Sequence, residues 1–105
     1  FKNGTSIALM IDQRVSEGIK SDLFGKEALT TTIPAQFIKK FNAPVVPIYI
    51  ERSIDDTFKL KIYESIKFSN DETVNDITKK LNQILEKMIM ANPDQWIWTH
   101  NRWKN

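Results

Sequence analysis

An apolar run near the start of the chain, Ile7 to Ile11, is the feature that most constrains the fold. These five residues do not alternate with polar ones, and Asp12, Gln13 and Arg14 follow them directly. A short uninterrupted run of this kind is typical of a β-strand that is covered on both faces, as in a parallel sheet. We therefore predict that Ile7–Ile11 forms a central strand of an α/β fold.

The rest of the chain contains patterns for four further elements. Val45–Ile50 is a second, nearly continuous apolar run, and a helix-start signal with an apolar stripe predicts a helix over Pro34–Phe41 between the two runs. A strand, a helix and a second strand are expected to form a right-handed parallel crossover. Alternation with lysines predicts an edge strand over Phe58–Ile62. Helical spacing predicts a long helix over Thr73–Ala91, preceded by a capping box at Ser69–Glu72.

Together these elements predict an α/β fold with a mixed, mainly parallel sheet flanked by helices. The polar stretch from Val15 to Lys26 contains Gly18 and Gly25, and we predict an irregular connecting loop there. The predicted core consists of apolar residues from the two runs and the two helices: Ile7, Leu9, Ile11, Phe37, Val46, Ile48, Leu81, Ile84 and Met88.

Composition limits the classes of protein to which the chain can belong. Its 105 residues are enough for one domain, and they contain no cysteine, so disulfides and thiolate metal sites are excluded. Fifteen basic residues are nearly balanced by thirteen acidic ones, and no basic stripe indicates nucleic acid as a partner. No apolar run approaches the roughly 20 residues that span a bilayer. We predict neither a metal site nor a cofactor.

The polar residues Asp12, Gln13 and Arg14 follow the first predicted strand, where ligands of open α/β sheets bind. They can orient a polar substrate, and Arg14 can hold a phosphate or carboxylate with two parallel hydrogen bonds. The alternative is a strand end at which Asp12 caps a helix and Arg14 is solvated. Thr31 and Thr32 likewise either bind a phosphate near the helix N-terminus or serve as caps and turn residues.

The segment from Pro93 to Lys104 contains all three tryptophans and the single histidine, together with Arg102 and Lys104. Tryptophan and basic side chains together favour a membrane–water interface. Aromatic residues interleaved with cations can also stack on single-stranded nucleic acid. The remaining alternative is that the tryptophans pack the chain end onto the domain. We expect a short helical turn over Asp94–Ile97, with Trp98 packed and Arg102 and Lys104 facing lipid head groups or an acidic carrier protein.

Four motifs in this order resemble the bacterial lipid A biosynthesis acyltransferases, and the resemblance extends over essentially the whole chain. The fourth is the most specific, because family members end in a very similar stretch. The motifs are Ile11-Asp12-Gln13-Arg14; Leu23-Phe24-Gly25 with Thr30-Thr31-Thr32; Ala43-Pro44-Val45-Val46-Pro47; and Pro93-Asp94-Gln95-Trp96-Ile97-Trp98-Thr99-His100-Asn101-Arg102-Trp103-Lys104.

The resemblance implies an enzyme that moves a fatty acyl chain from acyl carrier protein to a hydroxyl of a lipid A precursor. It also implies association with the cytoplasmic face of the inner membrane and the C-terminal portion of a glycerolipid-acyltransferase-like fold. The family's catalytic His-x-x-x-x-Asp/Glu pair would lie in a missing N-terminal part of the same domain. His100 cannot replace it, because the fifth residue after it is Asn105. The chain alone is then expected to be inactive.

The resemblance, read together with the residue chemistry, gives a set of expected site residues. The alternative from a different class is a non-catalytic peripheral membrane or interaction domain. For the acyltransferase, the expected catalytic residues are Asp12 and Gln13, the expected substrate-binding residues are Arg14, Thr31 and Thr32, and the expected membrane or carrier contacts are Trp96, Arg102, Trp103 and Lys104.

Overall fold

The computed structural model describes residues 6–96 and 101–103. Within them, the chain forms two antiparallel hairpins that are separate from each other, each a two-stranded sheet. The mainly parallel sheet predicted from the apolar runs is therefore wrong. The elements in chain order are β1 (Ile19–Leu23), β2 (Lys26–Thr30), α1 (Ile33–Phe41), β3 (Ile48–Arg52), β4 (Phe58–Ile62), α2 (Val74–Ala91) and a 3₁₀ turn (Pro93–Gln95).

The two apolar runs do not pair with each other. Residues 6–11 belong to no strand, and the second run enters a strand only at Ile48. That strand, β3, pairs with β4 because a tight turn, in which the Ser53 N–H donates to the Thr57 carbonyl at 2.7 Å, folds the chain straight back. Val45 makes an isolated antiparallel bridge with Ile66 beside this hairpin. The second run therefore pairs with its neighbour in sequence, in an antiparallel hairpin, and not with the first run in a parallel sheet.

The first hairpin, β1–β2, occupies the stretch predicted as an irregular loop. Its turn places Phe24 at φ 54° and Gly25 at φ 76°, and two left-handed residues are what a two-residue hairpin turn requires. Glycine adopts this conformation freely, whereas Phe24 is held there by its N–H, which donates to Glu86 Oε1 at 2.6 Å. Alternate residues of both strands are buried on one face: Ser21, Leu23, Ala28 and Thr30.

The first helix, α1, confirms the predicted helix over Pro34–Phe41 and begins one residue earlier. Pro34 lies in its first turn, where the backbone N–H that proline lacks has no helical partner. The helix ends at Asn42, whose left-handed conformation (φ 50°, ψ 42°) terminates the hydrogen-bond ladder.

The second helix, α2, confirms the long predicted helix, but its capping box is not the predicted one. Thr73 Oγ1 accepts the Asp76 N–H at 3.1 Å, while Asp76 Oδ2 accepts the Thr73 N–H at 3.2 Å. The predicted box at Ser69–Glu72 lies in the turn before the helix, where Glu72 Oε1 accepts the Ser69 N–H at 3.2 Å.

Helix α2 is shared by two apolar clusters that form the core. Its N-terminal half packs with Ala35, Ile38 and Phe68 through Ile77 and Leu81. Its C-terminal half packs on the first hairpin, where Leu85 and Ile89 meet Leu23 and Ala28. The predicted core is largely wrong: Leu81 is buried, Ile11, Phe37, Ile84 and Met88 are half-buried, and Ile7, Leu9, Val46 and Ile48 are exposed.

Candidate active site

The segment that carries Asp12 lies between the two apolar clusters. Ile11 packs against both of them, and Asp12 follows as a half-buried residue. Gln13 is exposed and Arg14 is half-buried. Val15 N–H then donates a long hydrogen bond, 3.5 Å, to the carbonyl of Leu29 in β2. The half-buried Ile11 side chain and this bond hold the segment from both ends.

Gly18 brings the same segment close to the end of β2. Its N–H donates to the Val15 carbonyl at 2.9 Å, which closes a turn. A Cβ atom at this position would lie 2.2 Å from the Thr30 carbonyl oxygen, a distance that no side chain can occupy. Glycine is therefore required here for the backbone to approach β2, and Val15 and Gly18 lie against Leu29 and Thr30.

Thr30 is the centre of a buried polar cluster, which we define as Thr30, Asn82, Arg102 and the Leu29 carbonyl. Thr30 Oγ1 donates to the Ala28 carbonyl at 3.0 Å. It accepts Asn82 Nδ2 at 3.2 Å and Arg102 Nη2 at 3.0 Å. A hydroxyl has one hydrogen and two lone pairs, so these three bonds use its full capacity.

Arg102 is the largest fully buried side chain among the described residues, with an exposed fraction of 0%. Besides the bond to Thr30, its Nη1 donates to the Leu29 carbonyl at 2.6 Å. Burial lowers the pKa of the Arg102 guanidinium below its ordinary value, and the negative charge of Asp12 acts in the opposite direction. The prediction that Arg102 presents its charge to a head group or a carrier protein is therefore wrong.

Thr31 and Thr32 follow the buried Thr30 as half-buried residues at the start of α1. Thr31 Oγ1 accepts the Ile33 N–H at 3.2 Å, and Thr32 Oγ1 accepts Gln36 Nε2 at 2.7 Å. Thr31 thus makes a local turn contact, whereas Thr32, the N-cap residue of α1, makes no side-chain cap bond to the backbone. A hydroxyl that accepts a bond still has its own hydrogen to donate, so phosphate binding stays a prediction for both.

Trp96 and Trp103, the two described tryptophans of the C-terminal segment, pack onto the protein. Trp96 and Trp103 are half-buried and meet edge to face, with ring centroids 6.0 Å apart and an interplanar angle of 89°. Trp103 Nε1 donates to the Leu23 carbonyl at 3.1 Å. The helical turn expected over Asp94–Ile97 is met only in part: a 3₁₀ turn covers Pro93–Gln95, Trp96 is already extended, and Ile97 lies outside the described residues. Predictions for Trp98, His100 and Lys104 concern positions outside the described residues.

The structure brings three of the sequence motifs to one place: the Asp12 segment, the threonine cluster Thr30–Thr32 and the tail residue Arg102. Sequence reasoning missed Asn82 and the buried role of Thr30. The signal for Asn82 was available in the sequence, because the spacing of α2 places Thr78 and Asn82 on the same face as Leu81 and Leu85, and the structure buries both. Polar residues on the buried face of an amphipathic helix need partners there, and Thr30 is the partner of Asn82.

Other features of the described residues do not add a second candidate site. In residues 6–96 and 101–103, no group of three His, Cys, Asp or Glu side chains is placed to hold a metal ion. The helices in these ranges lack the combined length and hydrophobicity that a membrane-spanning helix needs. Two clefts of about 270 and 220 Å³ lie along α2, and neither is lined by a predicted site residue.

Comparison with known proteins identifies the family. The family model of the bacterial lipid A biosynthesis acyltransferases matches residues 1–105, the whole chain. A comparison with individual curated proteins gives no significant match. The family match confirms the resemblance carried by the four motifs, and it implies an acyl donor and a lipid A precursor as acceptor. The chain therefore belongs to the bacterial lipid A biosynthesis acyltransferase family.

Proposed function

We propose that this chain is the C-terminal part of a single acyltransferase domain and that it supplies Asp12 to the active site. The enzyme would transfer a fatty acyl chain from acyl carrier protein to a hydroxyl of a lipid A precursor, at the cytoplasmic face of the inner membrane. The observation that carries the proposal is that three family motifs meet at the end of β2: the Val15 N–H, directly after the Asp12 motif, and Arg102 Nη1 both donate to the Leu29 carbonyl, next to Thr30.

In this proposal the general base is the histidine of a His-x-x-x-x-Asp/Glu pair in the N-terminal part of the domain. That histidine takes the proton of the attacking hydroxyl. Asp12 and Gln13 lie beside it, where a carboxylate and an exposed amide can orient the histidine or the hydroxyl by hydrogen bonds. The 105-residue chain alone then has no base for this step and is inactive.

Substrate binding in this proposal uses the residues next to Asp12 and at the start of α1. The guanidinium of Arg14 can grip a phosphate oxygen pair, which suits the phosphorylated head group of a lipid A precursor. Thr31 and Thr32 can add hydroxyl hydrogens near the N-terminus of α1, where the positive end of the helix dipole favours an anion.

Unpartnered apolar surface supports the proposal that the domain extends beyond this chain. One face of the second hairpin, which we call the apolar hairpin face, exposes side chains that pair across β3 and β4: Ile48, Ile50, Leu60 and Ile62. Leu9 and Met10, before the Asp12 segment, are also exposed, at 48% and 84%. Apolar side chains arranged in this way are usually covered by another surface. We assign this cover to the rest of the acyltransferase domain.

The alternative, a non-catalytic membrane or interaction domain, relies on the tryptophan-rich segment as an interfacial surface. In the structure Arg102 is buried and not on that surface, and Trp96 and Trp103 pack against each other and against the cluster formed by the first hairpin and α2. Lys104 remains available to that alternative as a prediction only.

The proposal is tested by substituting Asp12 in the intact enzyme and measuring acyl transfer from acyl carrier protein to a lipid A precursor. We expect Asp12→Ala to lower kcat by 10²–10⁴-fold, the range for loss of an acid–base or orienting group, with little change in thermal stability. Asp94→Ala, which removes an exposed carboxylate in the 3₁₀ turn, is the matched control and should keep normal turnover. An active Asp12→Ala enzyme would contradict the proposal.

A further inference from the structure

A fully buried guanidinium is expensive to maintain, and this one has little ionic compensation. Taking a charged group out of water costs several kcal/mol, and apolar replacements of buried ion pairs are often more stable. Among the described residues the ion pairs are Lys61–Glu51 and Lys80–Glu72, and Arg102 belongs to neither. Its bonds go instead to a carbonyl and a hydroxyl of two consecutive residues in β2. Stability alone therefore does not explain an arginine at this position.

The Leu29 carbonyl connects Arg102 to the Asp12 segment. This oxygen accepts Arg102 Nη1 at 2.6 Å and the Val15 N–H at 3.5 Å. Val15 lies three residues after Asp12. The backbone at Gly18, in the same segment, lies in close contact with the Thr30 carbonyl. A shift of the β2 end therefore shifts the segment that carries Asp12.

The Thr30 hydroxyl connects Arg102 to the start of α1 and to α2. Because all of its hydrogen-bonding capacity is used inside the protein, Thr30 cannot itself contact substrate. Its role is to hold three elements in one arrangement: the tail through Arg102, α2 through Asn82 and β2 through the Ala28 carbonyl. Thr31 and Thr32 continue directly from it, so their direction depends on the same bonds.

We infer that Arg102 is a positioning residue of the acyltransferase, which fixes Asp12 and the start of α1 through the Leu29 carbonyl and the Thr30 hydroxyl without touching substrate. This inference rests on the proposed function, because it gives Asp12 a role in the reaction. Positioning of this kind acts on kcat, since a displacement of about 1 Å in a reacting group costs on the order of 10²-fold in rate.

The first test measures kcat and KM for Arg102→Met and Arg102→Lys in the intact enzyme. We expect Arg102→Met to lower kcat by on the order of 10²-fold with KM for the lipid acceptor changed less than about threefold. Arg102→Lys keeps the charge but lacks the planar fork that reaches both partners with good geometry, so its kcat should lie between those of wild type and Arg102→Met. Gln95→Ala is the control, because it removes two hydrogen bonds between the tail region and Arg52 in the other hairpin. It should keep wild-type kcat.

A second pair of variants tests the same contact from the other side. Thr30→Ser keeps the hydroxyl and should retain most of the activity, whereas Thr30→Val leaves buried donors of Arg102 and Asn82 unpaired and should lower kcat. The pair also supplies the comparison if Arg102→Met does not fold. Equal activity of folded Thr30→Val and Thr30→Ser would overturn the inference.

The deciding readout is the coupling between Arg102 and Asp12. If Arg102 acts through Asp12, Arg102→Met should cost much less in an Asp12→Ala enzyme than in wild type, because the positioned group is already gone. An equal fold-loss in both backgrounds, or a rise in KM without a fall in kcat, would overturn the inference. If Asp12→Ala is inactive while Arg102→Met is fully active, the inference fails and the proposed function stands. If Asp12→Ala is active, both fail.

Discussion

The two hairpins of this chain differ in burial, and the difference is the opposite of what the polarity of their sequences predicts. The first, β1–β2, is mostly polar in sequence, yet its inner face is buried against α2. The second, β3–β4, has the more apolar sequence, yet its apolar hairpin face is exposed. Burial here is decided by what packs on a strand, and small residues such as Ser21 and Ala28 let α2 approach the first hairpin closely. The candidate site lies beside the hairpin that is packed on α2.

The largest expected effect comes from truncating one leucine in each hairpin of the 105-residue chain. Leu23 is 0% exposed and Leu60 is 59% exposed. We expect Leu23→Ala to lower the free energy of unfolding by about 2–5 kcal/mol, because it leaves a cavity against α2. Leu60→Ala should change it by less than about 0.5 kcal/mol. Chemical denaturation measures both, and equal losses would remove the contrast between the hairpins.

The next effect concerns the backbone contact between Gly18, in the segment that follows Asp12, and Thr30 of the first hairpin. A methyl group at Gly18 would meet the Thr30 carbonyl at 2.2 Å, whereas one at Gly25 would meet nothing within 4 Å. We expect Gly18→Ala to cost about 1–3 kcal/mol in the free energy of unfolding, through forced backbone displacement. Gly25→Ala should cost about 1 kcal/mol, from its left-handed conformation alone. A Gly18→Ala chain as stable as wild type would mean that the Gly18 backbone does not lie against β2.

The smallest effect is the dependence of stability on acid. Hydrogen bonds from Thr57 lower the pKa of Asp55 in the second hairpin, and those from Thr73 lower the pKa of Asp76 at the start of α2, both below 3.8. A lowered pKa in the folded state stabilises above the ordinary value, and this stabilisation is lost as the pH falls through the lowered value. We expect the melting temperature to decline slightly once the pH drops below about 4.

Two substitutions assign that acid dependence to its source. Thr57→Val removes the hydroxyl bond to the Asp55 carboxylate, and Asp76→Asn removes the titrating carboxylate that accepts the Thr73 N–H. Each should flatten part of the decline between pH 4 and more acidic conditions. An unchanged profile in both variants would show that these carboxylates contribute nothing measurable to stability.

The parts of the fold that were predicted correctly are those with a strong local pattern. Both helices and the strand Phe58–Ile62 follow from spacing and alternation, which depend on neighbours in the chain. The prediction of a parallel sheet was wrong because an uninterrupted apolar run indicates that both faces of a segment are buried, but it does not specify which elements pack on them. The first hairpin was missed because its buried positions are largely small or polar, so alternation did not register.

In the candidate site, too, features that depend on neighbouring residues in sequence could be predicted, whereas features that depend on tertiary contacts could not. Asp12 could be singled out because it ends an apolar run and matches a family motif. The burial of Arg102 could not be predicted, because arginine is rarely buried and its partners, Leu29 and Thr30, lie more than seventy residues away in sequence. The polar positions on the buried face of α2 were the one available sign that a polar cluster lay beneath that helix.

Hydrogen–deuterium exchange, measured on the 105-residue chain and on the intact enzyme, tests most directly whether this chain is one part of a larger acyltransferase domain. If the rest of the domain covers the apolar hairpin face, the amides of β3 and β4 should exchange much more slowly in the intact enzyme. The amides of β1 and β2, which have their own core, should exchange at similar rates in both. Equal exchange of β3 and β4 in the two proteins would contradict the proposed cover and, with it, the assignment of this chain as part of that domain.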